Sequence, residues 1–352
     1  RAARPEIVLF AGGTDGGQAD LVLENARRLA AEEIAAHFVV ACNSAVAEEA
    51  AALLRAAGAS ATVAQNVMPK LGEIAVDSAR EGILRAFLEH VIGGKGLSAS
   101  PEFERMVRMP TPEAVLEAVR LLAQGTEAVP GVGDVVVIDI GGATTDVHSS
   151  RVVEAATPGI EDSLLPPPPT LRTVEGDLGL RSGAVGVLAA DARWLEAEGG
   201  SAGAAIGQAV SLRSEDAKWL PNDPEEVHLD HLLAVSCATH ALRRHCGTML
   251  LSRGNGGPPT LVRNGPDLRE VAQVIGTGGV FAHRDDGRAI IGAALARRAP
   301  HSLAPHEPAL SIDRNYILAA AGLLAGYARD VAAHLLQREL KLEKLDSASI
   351  AE

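Results

Sequence analysis

Val135-Val136-Val137-Ile138-Asp139-Ile140-Gly141-Gly142-Ala143-Thr144-Thr145-Asp146-Val147 is the stretch that decides the fold. Its first four residues are all β-branched, the pattern of a strand buried on both faces. That strand delivers Asp139 to its end. Gly141 and Gly142 then let backbone approach a ligand with no Cβ in the way. Thr144 and Thr145 add hydroxyl donors, and Asp146 opens a returning strand. Successive N–H groups in such a turn form an anion-binding nest. Carboxylates beside a phosphate nest suit Mg²⁺, which prefers carboxylates plus water. A plain β-hairpin explains the glycines. It does not explain aspartates at both ends and adjacent threonines.

Upstream, strands and helices alternate. Ile7 to Phe10 reads as a buried strand, followed by the glycine-rich Ala11-Gly12-Gly13-Thr14-Asp15-Gly16-Gly17 turn and a helix to about Glu33. Phe38 to Cys42 is the next strand. Asn43-Ser44 reads as the cap of a helix that ends at Gly58, and Ala61 to Ala64 is a third strand. This order implies a parallel sheet covered by helices. Helices are predicted over Asp77 to Ile92 and, with Thr111 as cap and Pro112 at its first position, over Thr111 to Gln124. The former turns Ile83, Leu84, Phe87, Leu88 and Val91 inward. The Gly- and Pro-punctuated Gly125 to Gly133 reads as a domain boundary, giving domains at 1–130 and 131–352.

Downstream, Val152-Val153 closes a strand, and four prolines (Pro166 to Pro169) form a stiff connector. A long helix is predicted over Leu229 to Leu250. The strand Val271 to Ile275 runs into Gly276-Thr277-Gly278-Gly279. Two further helices are predicted, over Ala289 to Arg298 and Asp313 to Leu340, with Gly322 and Gly326 permitting close helix approach.

Composition narrows the function. The hydrophobic share is 47%, enough for two or three cores, and it is built from aliphatic residues, with only 5 Phe, 2 Trp and 2 Tyr. Net charge is −13 and no Lys/Arg-rich run occurs, which argues against nucleic acid as a partner. Cys42, Cys237 and Cys246 share no paired spacing, as expected of a cytoplasmic chain. No apolar run reaches the roughly 18 residues of a membrane span. His228, His231, His240 and His245 read as ordinary helix residues, since Zn²⁺ needs three or four converging ligands. His148, just after the hairpin, reads as a sheet-face residue.

The hairpin resembles the second phosphate-binding hairpin of the actin/sugar-kinase/Hsp70 ATPase superfamily, whose lobes are ribonuclease H-like. Val274 to Val280 resembles that superfamily's adenosine-binding turn. Further segments resemble one branch, the MutL family associated with glutamate (methylaspartate) mutase: Ala11 to Gly17, Asn66-Val67-Met68-Pro69, Met109-Pro110-Thr111-Pro112, Asp146-Val147-His148-Ser149, Arg172 to Gly179 and Asp313 to Ala320. The resemblance implies an actin/Hsp70-like lobe beside a βαβ, Rossmann-like domain. It implies a weak ATPase that binds ATP or ADP with Mg²⁺ and serves an adenosylcobalamin-dependent mutase as a reactivating factor.

By that resemblance Asp139 would hold Mg²⁺ through water and Asp146 would share the catalytic site. Gly141, Gly142, Ala143, Thr144 and Thr145 would meet the β- and γ-phosphates. Gly276, Thr277, Gly278 and Gly279 would approach the α-phosphate and adenosine. Glu175 and Asp177 occupy the place of an acidic, Gly-rich loop, or else form a solvated turn. The superfamily clamps phosphate between two hairpins, and only one is recognisable; the first is expected upstream of Arg1. With half a clamp, nucleotide binding and hydrolysis are expected to be weak. The other readings are an ATP-dependent hydrolase resembling hydantoinase A or oxoprolinase, and a scaffold without ATP.

Overall fold

The computed structural model describes residues 5–87, 89, 109–152, 160–162, 167–200, 206–252 and 259–342. The chain divides into two compact units, Arg1–Met109 and Pro110–Glu352.

The first unit alternates strand and helix: β1 (Ile7–Phe10), α1 (Asp20–Ala31), β2 (His37–Val40), α2 (Ala47–Ala56), β3 (Ser60–Val63) and α3 (Asp77–Ala86). The strands form a parallel sheet in the order β1-β2-β3. Central β2 is buried along its whole length, as its apolar Phe38-Val39-Val40 run requires. α2 buries Ala47, Ala50, Ala51 and Leu54, one helical stripe. Gly58 (φ +87°) closes that helix as expected of a C′ glycine, with Ala59 N–H returning to Leu54 O. Asn43 is not the helix cap; it lies in the preceding loop, and α2 starts only at Ala47. In α3 the fully buried residues are Ala79 and Ala86, whereas Ile83 and Leu84 are half-buried; Leu88 and Val91 lie outside the described residues.

The second unit opens with α4 (Thr111–Gln124), followed by β4 (Val135–Ile140), β5 (Thr145–Ser150), β6 (Ile160–Asp162) and β7 (Thr170–Glu175). Helices α5 (Ala184–Glu198), α6 (Ile206–Glu215) and α7 (Pro224–His245) come next, then β8 (Thr248–Ser252), β9 (Thr260–Asn264) and β10 (Gln273–Thr277). The chain continues through α8 (Gly279–Ala282), α9 (Gly287–Ala296), β11 (Ala309–Ile312), α10 (Ile317–Ala325) and α11 (Arg329–Glu339). The main sheet has the order β11-β10-β4-β5-β7, and β5 alone runs against the others. Its two faces carry separate cores. Val135, Val137 and Ile275 pack with α4, α10 and α11 through Val119, Leu122, Leu318 and Leu336. Val136, Ile138, Ile140 and Val147 pack on the opposite face with α5, α7 and α9 through Leu195, Leu233 and Ile290. Each fully buried aliphatic side chain contributes about 1.5–3 kcal/mol of transfer free energy. The small sheet β6-β9-β8 stands apart.

The division between units falls at Met109 and Pro110 rather than at 130 and 131. The reason is α4, whose Val115, Ala118, Val119 and Leu122 belong to the second core. Gly125 to Gly133 is a tight turn inside that unit: a Cβ on Gly125 would lie 2.2 Å from Gly131 N. Thr111 is already within α4, and the extended Pro110 precedes it. At the α4–α10 crossing a Cβ on Gly322 would meet Ala114 O at 1.8 Å, so only glycine fits. The span Asp313 to Leu340 is two helices broken at Gly326-Tyr327-Ala328, not one. The long helix runs from Pro224 to His245 rather than from Leu229 to Leu250; the Asp223 carboxylate caps it, accepting from Glu226 N–H at 2.9 Å. β5 ends at Ser150, Val152 lies beyond it, and Val153 and Pro166 fall outside the described residues.

Candidate functional site

The hairpin forms as the sequence predicts, with Asp139 opposite Asp146 and Ile140 opposite Thr145. Its turn is oriented by the segment after β7. Leu180 N–H donates to Gly141 O at 3.0 Å, and Arg181 N–H donates to Gly142 O at 2.7 Å. Gly179 and Gly183 are packed so closely on Ala143 that a Cβ on either would fall within 2.4 Å of it. With the carbonyls held on that side, the N–H groups of Gly142, Ala143 and Thr144 donate to no acceptor among the described residues. Unpaired donors of this kind form a nest for an anion.

The second turn, Gly276 to Gly279, approaches the first. Gly276 lies under the Phe281 ring, where a Cβ would be 2.7 Å away. Gly278 adopts φ +96°, and a Cβ there would stand 2.6 Å from both Asp139 Oδ1 and Ile140 O. Gly279 then begins α8, whose first N–H groups are free by helix geometry.

A cleft of about 980 Å³ opens between the two turns. Ile140, Gly141 and Gly142 line one side, and Gly279, Val280 and His283 the other. Its far wall is apolar at Leu220, Pro221 and Val227 and charged at Arg181, Asp230, Arg284 and Asp286. The charged groups are fixed by pairing. Asp230 accepts from Arg181 at 3.0 Å and from the fully buried Arg213 at 2.7 Å; Arg213 also bonds Glu226 and stacks 4.2 Å over Trp219. Asp286 accepts from Arg284 and from His231, and hydrogen bonding from Arg284 holds its carboxyl down to about 2. Apolar lining with a few placed polar groups is the usual make-up of a small-molecule site.

The acid residues lie on the α4 and α10 face of the sheet. Asp139, Asp146, Arg172, Thr277 and Asp313 share that face by register. Asp146 is held by Arg172, whose Nε donates to Oδ1 at 2.7 Å, and it accepts from Thr144 Oγ1 at 3.4 Å. Asp313 is buried, accepts from Thr277 Oγ1 at 3.2 Å and caps α10 by accepting from Ile317 and Leu318 N–H. Burial, then the negative charges of Asp146 and Asp313, push the Asp139 carboxyl up to about 6. Among the described residues no group of three or more His, Cys, Asp or Glu is arranged to hold a metal ion.

Other expected site residues stand elsewhere. Thr145 is buried and donates to Leu178 O at 2.9 Å, so its hydroxyl is committed within the fold. Glu175 pairs with Thr145 and therefore faces away from Asp139 and Asp146. Glu175 and Asp177 both accept from Arg244, at 2.7 and 2.6 Å. Arg244 lies 14 residues along α7 from Asp230, roughly 21 Å at helical rise, and neither acid lines the cleft. His148 is fully buried with no hydrogen-bond partner for either ring nitrogen among the described residues; burial brings it down to about 3. His240 pairs with Asp191, and His245 bonds Thr173 and Ser149. The three cysteines are free and buried. Arg181, Asp230, Arg284, Asp286 and Asp313 had no site role in the sequence reading.

In the first unit, the Gly12–Gly17 loop is sewn to the ends of β2 and β3. Asp15 Oδ1 accepts from Ser44 N–H and from Asn66 Nδ2, each at 2.8 Å, and Asn66 Nδ2 also reaches Gly13 O. Those bonds hold the Asp15 carboxyl below its usual range. Gly13 (φ +69°) and Gly16 (φ +70°) supply the left-handed turns. The arrangement uses the Asn66-Val67-Met68-Pro69 segment as a brace, with Asp15 N–H donating to Pro69 O.

Comparison with known proteins agrees with the motif pattern. Residues 1–340 match the family described as MutL protein. A protein of Clostridium tetanomorphum described as Protein MutL is 38% identical over 339 residues, covering 95% of this chain and 73% of the relative.

Proposed function

The chain belongs to the MutL protein family, and from that premise we propose that its second unit binds ATP and Mg²⁺ as an actin/Hsp70-like lobe serving an adenosylcobalamin-dependent mutase. The observation that carries the reading is the meeting of two glycine turns, each with N–H groups unpaired among the described residues, on one 980 Å³ cleft. Two further observations support it. The strand order β11-β10-β4-β5-β7, with only β5 reversed, is compatible with a ribonuclease H-like lobe. The hairpin and the second turn lie on adjacent parallel strands, β4 and β10.

In this reading Gly142, Ala143 and Thr144 N–H groups hold phosphate oxygens, and the helix start at Gly279 adds donors. The adenosine end occupies the wall formed by Val227, His283 and Arg284. Gly278 keeps the two turns in contact. The acid face fits Mg²⁺, which needs one or two carboxylates when phosphates and water supply the rest. Asp139 would hold it, since Asp146 is tied to Arg172. When bound, Mg²⁺ would neutralise charge developing on the phosphates. Asp139 also orients water on that face, and Asp313 holds Thr277 and α10 beside it. In this reading hydrolysis is weak and depends on the partner.

The test is functional. Chain and candidate mutase are mixed with ATP, and nucleotide exchange and cobalamin release are followed. Mutase-dependent exchange supports the accessory role. ATP-coupled turnover of a hydantoin or of oxoproline, without any mutase, overturns it.

A further inference from the structure

A second cleft, of about 650 Å³, opens in the second unit at the C-terminal end of β11. Four cationic side chains line it from three separate places: Arg288 on α9, Arg314 in the β11–α10 loop, and Arg338 and Lys341 at the end of α11. Their acidic neighbours do not balance them. Arg314 pairs with Asp285 at 3.0 Å, and Arg338 pairs with Glu339, the next residue in the chain. Asp285 and Arg314 are exposed, so that pair is weakly held. Arg288 and Lys341 have no acidic partner among the described residues. The third acid of the lining, Asp313, has its carboxylate committed to Thr277, Ile317 and Leu318. The cleft therefore carries a surplus of positive charge within a chain of net charge −13.

The backbone adds a second, independent observation. Lys341 adopts φ +51° and closes α11 in the manner of a C′ residue, with its own N–H on Arg338 O and Leu342 N–H on Gln337 O. That position favours glycine, because a Cβ is crowded at positive φ. A lysine there places its side chain on the cleft lining at a conformational cost. Strained backbone of this kind collects at ligand sites.

We propose that this cleft binds a small multivalent oxyanion, with two phosphate or carboxylate groups engaged by Arg288, Arg314, Arg338 and Lys341. The site is separate from the glycine turns of the first cleft and does not depend on that cleft holding nucleotide. Arginine supplies paired donors that match planar or tetrahedral oxyanions, and lysine supplies a point charge.

Inorganic pyrophosphate and succinate are titrated separately by calorimetry into the chain, into R288Q/K341Q and into Gly142→Val. The double variant removes exposed, unpartnered side chains, and thermal melting checks that it folds; Arg338→Gln provides a second variant. Affinity for one or both anions is expected to fall at least about tenfold in R288Q/K341Q, since each lost charge-assisted bond is worth that order. Gly142→Val is expected to retain it. Preference for pyrophosphate assigns phosphate groups as the source, and preference for succinate assigns carboxylates. Binding of neither anion, or equal binding by R288Q/K341Q and the unaltered chain, overturns the proposal. Mg-ATP titrated into the same variants gives the opposite pattern if the first cleft is the nucleotide site, so the two claims fail independently.

Discussion

Replacing Gly278 by alanine probes the contact on which the site depends. Gly278 has φ +96°, and its missing Cβ would fall 2.6 Å from Asp139 Oδ1 and 2.6 Å from Ile140 O. The backbone conformation alone costs an alanine about 1–2 kcal/mol. Overpacking adds about 1–3 kcal/mol, because the Ile140 carbonyl cannot rotate away as a side chain could. The expected loss is therefore about 2–5 kcal/mol. Gly279→Ala is a matched control: its Cβ would meet nothing within 4 Å, and alanine favours the helix start there. Both tryptophans, Trp194 and Trp219, lie in the second unit, so their fluorescence in urea reports that unit alone. Gly278→Ala should shift the midpoint strongly, and Gly279→Ala should leave it unchanged or raise it. Equal midpoints for the two variants would show that the turns are not packed as described.

Three further outcomes follow from named contacts. Asp177→Asn should leave Mg-ATP affinity within about twofold and cost under about 1 kcal/mol, because Asp177 is half-exposed and bonded to Arg244 away from the cleft; calorimetry and urea melts check both. Arg213→Ala should cost about 3–5 kcal/mol, since it strips a fully buried partner from Asp230 and Glu226; a tryptophan-detected melt within about 1 kcal/mol of the unaltered chain would contradict this. Burial, with the Arg151 charge second, holds His245 down to about 4. Its folded value lies below its unfolded one, so the unfolded chain binds the extra proton between about pH 6.5 and 4. Stability from this group is complete above pH 6.5 and is lost on acidification to about pH 4, by about 3 kcal/mol. Urea melts across that range should show a slope that His245→Gln reduces.

The hairpin was legible because four β-branched residues, an aspartate and two glycines leave one reading for strand and turn. The βαβ order of the first unit was legible for a similar reason: its apolar runs are short and its glycines mark the turns. The cleft wall was not legible. Arg181, Asp230, Arg284 and Asp286 come from a loop, a helix and another loop, and each alone looks like a solvated charge. The start of α7 lies in polar sequence around Asp223 and Pro224, where only the cap marks it. Its end was overrun because Thr248 to Leu251 continues the apolar run into β8. The break between α10 and α11 was hidden by apolar residues on both sides of Gly326. Gly125 to Gly133 looked like a linker because glycine and proline serve tight turns and linkers alike. Glu175 and Asp177 stand out only by their place in the chain; the strand register turns Glu175 toward α7, where both acids accept from Arg244.

We propose that the two glycine turns and Asp139 handle a nucleotide with Mg²⁺. Calorimetric titration of ATP, with and without Mg²⁺, into the chain and into Asp139→Asn tests it most directly. Binding is expected to tighten with Mg²⁺ in the unaltered chain, and Mg²⁺ is expected to make no difference in the variant. Absence of ATP binding to the folded chain, or an unchanged Mg²⁺ effect in Asp139→Asn, would contradict it.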